Sequence, residues 1–110
     1  MQRVPYSPQP MIVEKAKQRE KMASEFYALA RREAQEYQER AAYLIDSGCQ
    51  SAAIMERWIS RIEELKAKKQ RYEALFRKEL TETDEEFDSL QLYQQELQMR
   101  AEGIRALKVA

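Results

Sequence analysis

The sequence predicts an all-α protein built as an up-down-up three-helix bundle with long helices, and three observations carry that prediction. Between Pro10 and Gly103 the chain holds no proline and one glycine, Gly48, so little in that span interrupts a helix. Its apolar residues recur every three or four positions in three separate stretches, the period of a helical face. When the stretches are folded antiparallel, small side chains of the first fall opposite large ones of the second, as close packing requires.

Residues 1–10 carry Pro5, Pro8 and Pro10, which fix their own φ and push each preceding residue towards extended backbone. They read as an extended or disordered proline-rich tail, and residues 11–110 as a single helical domain. The first helix is expected from Met11 to Ile45, where Asp46, Ser47 and Gly48 supply turn chemistry and a glycine able to take positive φ. Its seam places Ala16, Ala23, Ala30, Tyr37 and Leu44 at intervals of seven and is mostly small.

The second helix is expected from Ser51, a suitable N-cap, to Leu80. Met55, Trp58, Ile62, Leu65, Lys69, Tyr72 and Phe76 give it a bulky seam in unbroken 3-4 spacing. Thr83 and Glu86 then have capping-box spacing, with Asp84 and Glu85 placing negative charge where a helix N-terminus favours it. The third helix continues through Phe87, Leu90, Gln94, Leu97, Ala101 and Ile104 to Leu107. A turn at Thr81 to Thr83 would set Phe76 by Phe87, Leu65 by Leu97 and Trp58 by Ile104, and would put Lys69 and Gln94 in one polar layer. The alternative is a long antiparallel helical hairpin, a coiled coil in which helices two and three run on without a break.

Composition narrows the function more than it names one. The chain of 110 residues balances 19 basic against 19 acidic residues, so net charge points to no class of partner. It contains no histidine and one cysteine, Cys49, which excludes Ser-His and Cys-His nucleophile pairs and a thiolate zinc site. No glycine-rich loop exists to cradle a phosphate. The expectation is therefore a non-enzymatic protein with no catalytic residues, metal, cofactor or small-molecule substrate. No apolar run approaches the length of a membrane span, and the lone cysteine suits a reducing compartment, so the expected location is cytoplasmic without membrane contact.

Two surfaces stand out. Leu92 and Met99 lie seven apart on the face of the third helix opposite Leu90, Leu97 and Ile104, with Ala106 continuing the line. An aligned apolar pair in solvent marks a contact stripe, for a protein partner or a homo-oligomer. Between positions 57 and 78 the second helix carries eight basic residues and only Glu63, Glu64 and Glu73 as acids. Of these, Arg57, Arg61, Lys68 and Arg71 fall along one flank, a stripe able to follow a nucleic-acid backbone although Glu64 interrupts it.

The string Glu56-Arg57-Trp58-x-x-x-Ile62-x-x-Leu65-x-x-Lys68-x-x-x-Tyr72-Glu73 resembles a segment of the coiled-coil stalk proteins of type III export ATPases, the FliJ/YscO family. That resemblance implies a helical hairpin and an adaptor role at an export ATPase. The leading expectation is thus a helical protein-protein interaction subunit of assembly, adaptor or chaperone type. The second is a small helical subunit of a nucleoprotein complex that contacts the backbone through the basic flank of helix two.

Overall fold

The computed structural model describes residues 10–76 and 81–109, with side chains over 13–76 and 85–107. It forms a three-helix bundle of α1 (Pro10–Asp46), α2 (Ala52–Phe76) and α3 (Thr81–Val109), each packed against the other two. Because α3 folds back along α2 rather than continuing it, the hairpin alternative is not formed. Pro10, assigned to the tail on sequence, is instead the first residue of α1, where its missing N–H costs nothing and its φ already suits a helix. The rest of the tail, residues 1–9, lies outside the described residues.

The first turn forms as its residues dictate. Gly48 has φ of 69°, and its N–H donates to the Ile45 carbonyl at 3.1 Å, while the Cys49 N–H donates to the Leu44 carbonyl at 3.0 Å. This pair of bonds is the Schellman arrangement that closes a helix on a left-handed residue. Three residues on, the Ser51 hydroxyl accepts from the Ile54 N–H at 3.3 Å and caps α2. A Cβ at position 48 would meet nothing within 4 Å, so the demand for glycine there is purely one of backbone. Gly48→Ala should accordingly cost about 1–2 kcal/mol through the left-handed φ alone, read as a lower denaturation midpoint with an unchanged m-value.

The core is the seam of alanines on α1 filled from the other two helices. Ala30, Ala34 and Ala41 are buried against Met55, Ile62 and Leu65 of α2 and Leu90, Leu97 and Ala101 of α3. Small side chains let the helices approach, and each buried Leu, Ile or Met contributes about 1.5–3 kcal/mol of transfer free energy. The α1/α2 register is the predicted one: Phe26 stacks on Tyr72 with centroids 4.8 Å apart, and Tyr37 meets Trp58 edge-on at 5.5 Å. Tyr27 is buried in the same seam, and desolvation is the first cause that raises its phenol above the ordinary value.

Three expectations are corrected. Ala16 is exposed, because α1 has 37 residues against 25 in α2; all of residues 13–22 are exposed, although Arg19 donates to the Leu75 carbonyl and lies over the Phe76 ring. Helix α3 is already running at Thr81, so Thr83 is not its N-cap; the side chains of 81–84 lie outside the described residues. Lys69 and Gln94 do not share a layer. Lys69 sits over the Phe87 ring at 4.9 Å and pairs with Glu73 at 3.1 Å, whereas buried Gln94 is level with Ile59, Glu63 and Lys66. With α2 described to Phe76 and α3 running from Thr81, α3 slides along α2 by roughly one to two helical turns of 5.4 Å relative to the expected register.

Gln94 is satisfied where it stands. Its amide nitrogen donates to the Ile59 carbonyl at 3.2 Å and to Glu63 Oε2 at 2.9 Å, and its oxygen accepts from Lys66 Nζ at 3.1 Å. The Gln94 bond, then the Lys66 bond and charge, hold the Glu63 carboxyl below its ordinary value. Near the other end of the α2/α3 interface Arg105 Nε donates to Glu56 Oε2 at 2.8 Å, and this hydrogen bond lowers the Glu56 carboxyl likewise.

Candidate functional site

The outer face of α3 is the first candidate surface. Phe87, Leu90, Gln94, Leu97 and Ala101 turn one side of this helix into the core. Tyr93 flanks the core, and Arg105 and Gln91 reach towards α2. What remains outward is the line of Leu92 and Met99, 67% and 68% exposed, two turns or about 10.5 Å apart. Ala106 and Leu107 extend it into solvent. Glu96 and Arg100 lie beside it and bridge each other at 2.8 Å, a partly exposed i,i+4 pair of the kind that contributes only tenths of a kcal/mol by itself.

The second candidate is the valley between α1 and α2. Arg61, Lys68 and Arg71 line an open groove of about 310 Å³ together with Glu33, Tyr37 and Glu64. Arg57, the fourth residue of the sequence-predicted stripe, is exposed and is not among the groove's lining residues. Lys68 pairs with Glu33 at 3.4 Å, and its ammonium also lies 5.9 Å from the Tyr72 ring. Two carboxylates inside the groove and one neutralised lysine make it a weaker polyanion track than the basic residues alone suggested.

Trp58 organises the upper end of this valley. The Arg61 guanidinium lies 4.7 Å from its ring centroid and that of Arg40 5.4 Å, with Arg40 also 6.0 Å from Tyr43. Stacked guanidinium groups keep their edge N–H donors for other acceptors, which favours carboxylate or phosphate ligands. Arg40 was not singled out on sequence. The signal available was its place opposite Trp58 in the α1/α2 register, which becomes readable only after the two helices are paired.

Among the described residues no group of three or more His, Cys, Asp or Glu side chains could hold a metal ion. Cys49 is a free, half-buried thiol beside the turn, its sulfur 3.8 Å from the Ser51 carbonyl. No helix is long and apolar enough, among the described residues, to cross a membrane.

Fold and packing together define an all-α three-helix bundle. The chain belongs to DUF6744, a family of unknown function, whose model matches residues 10–103. No curated protein and no solved structure is matched.

Proposed function

We propose that the protein is a non-enzymatic helical interaction subunit that works in the cytoplasm as an assembly, adaptor or chaperone-type component, docking through the outer face of α3. The observation that carries this reading is the aligned exposure of Leu92 and Met99 on a helix whose opposite seam already fills the core. The bundle gains nothing from two large apolar side chains in solvent, whereas a partner helix that covers them removes both from water. The stalk-like segment of α2 suggests the same kind of role, a helical adaptor beside a larger machine.

Leu92→Glu with Met99→Glu tests it. Both side chains stand in solvent, so helicity and melting temperature should change by no more than the roughly 0.5 kcal/mol typical of surface substitutions. Association with the partner protein, or with itself, should fall below detection in sedimentation and pull-down, since each carboxylate would have to be buried unpaired. A variant that unfolds, or one that associates like the parent, would remove this face from consideration.

The second reading, a subunit of a nucleoprotein complex, draws on Arg61, Lys68 and Arg71 converging on one groove. Titration of mixed-sequence duplex DNA and of single-stranded RNA separates the readings: backbone binding weakens steeply with salt and is reduced by Arg61→Glu with Arg71→Glu. Binding that survives the Leu92 and Met99 changes but not these would favour it.

A further inference from the structure

We propose that the outer face of α3 pairs with the same face of a second copy of this chain, antiparallel and about a two-fold axis, so that Leu92 of each copy seats against Gly103 of the other. The inference rests on reading Leu92 and Met99 as a docking face and goes further by naming the occupant. Ser89, Leu92, Glu96, Met99, Gly103 and Ala106 succeed one another in 4-3 and 3-4 steps, a second seam on the side of α3 away from its core seam. Leu92 and Met99 carry its apolar bulk, and Gly103 and Ala106 at its C-terminal end are small. Gly103 is unexplained within the monomer: a Cβ there would meet nothing within 4 Å, and its φ is not one that favours glycine, yet only proline is a poorer helix former. A close approach from outside the chain supplies the missing reason.

Antiparallel pairing is the arrangement that fits both size and charge. With Leu92 against Gly103, twice by symmetry, a bulky side chain enters the space that glycine leaves, while Ser89 meets Ala106 and the stem of Glu96 lies along Met99. The same register brings Glu96 beside Arg100 of the second copy, twice by symmetry, exchanging the exposed 2.8 Å bridge within each copy for one across the interface. The flanks then pair Tyr93 with Arg100 and Gln95 with Glu102, with no like charges opposed. A parallel pairing would instead oppose Glu96 to Glu96 and leave Gly103 facing Gly103 across a void. The chain's zero net charge opposes no approach of two copies. The contact spans about 25 Å of helix, smaller than a standard interface, so a dissociation constant of about 1–100 µM is expected.

The test is directed cross-linking, with Cys49→Ala as background. A chain carrying Leu92→Cys is mixed with one carrying Gly103→Cys and oxidised at about 200 µM, above the expected constant. In the proposed register the two thiols are adjacent, while positions 103 and 103 of the two copies are about 16 Å apart along the axis. The mixed disulfide should therefore form at least about tenfold faster than either self-disulfide. Separately, Gly103→Leu should raise the dissociation constant by about tenfold or more without lowering the melting temperature of the monomer. Preferential self-disulfides, or a dimer indifferent to Gly103→Leu, would overturn the arrangement. A chain that stays monomeric to about 500 µM overturns the second copy as occupant. If such a monomer still loses a partner protein on Leu92→Glu with Met99→Glu, the docking face itself stands; if it does not, that face fails too.

Discussion

Leu65→Ala is expected to cost about 3 kcal/mol, Ala34→Leu about 1–3 kcal/mol, and the two together less than their sum. Leu65 and Ala34 belong to the same buried cluster, with Ala34 fully inaccessible and Leu65 nearly so. Removing Leu65 leaves a cavity that the rigid α1 alanine seam cannot fill by relaxing. Enlarging Ala34 drives α1 and α2 apart and forces neighbouring side chains off their rotamers. If α1 supplies the small partner and α2 the large one in the same layer, exchanging them restores much of the volume. A coupling of about 1 kcal/mol or more, in the sense of mutual rescue, is then expected from the double-mutant cycle. Urea denaturation of the four proteins gives the answer. Strict additivity would mean that the two residues occupy different layers and that the α1/α2 register is wrong. Because a domain's whole stability is about 5–15 kcal/mol, the Leu65→Ala protein should remain folded but melt well below the parent.

How far the fold could be read from sequence depends on what marks each boundary. The α1/α2 turn was legible because Gly48 must take a conformation that other residues avoid and Ser51 can cap the helix after it. The α2/α3 turn has no such residue. The acidic run from Glu82 to Glu86 suits a helix starting at Thr81 as well as one starting after Thr83, since both lie within the first turns where negative charge is favoured. That uncertainty of a few residues propagates into every α2/α3 contact, which is why Gln94 meets Glu63 and Lys66 rather than Lys69. Periodicity likewise assigns a face but not the length of the element that covers it, so Ala16 reads as seam although α2 ends before reaching it. For the candidate surfaces, Leu92 and Met99 were readable as outward once the core seam of α3 was known. Arg40 and the open space beside Gly103 become readable only in the folded bundle.

Trp58→Ala should lose roughly 3 kcal/mol, lowering the melting temperature by about 10–20 °C, while Trp58→Phe should lose about 1 kcal/mol. Trp58 is half-buried, yet it packs on the core cluster, meets Tyr37 edge-on at 5.5 Å and lies under two guanidinium groups. An edge-to-face ring contact contributes about 0.5–1.5 kcal/mol beyond its area, and each cation–π contact about 0.5–1 kcal/mol at an exposed site. Phenylalanine keeps a ring for Tyr37 and, with a weaker face, for Arg40 and Arg61; alanine keeps neither, and the top of the α1/α2 valley loses the platform that orders its arginines. Differential scanning calorimetry on the three proteins measures the order of loss. The same variants also decide what Trp58 is for. A folded Trp58→Ala protein of parental stability that no longer binds its partner would make this tryptophan a contact residue. The expected result, a large loss of stability with association through Leu92 and Met99 retained in the folded fraction, makes it part of the frame that holds α1 on α2.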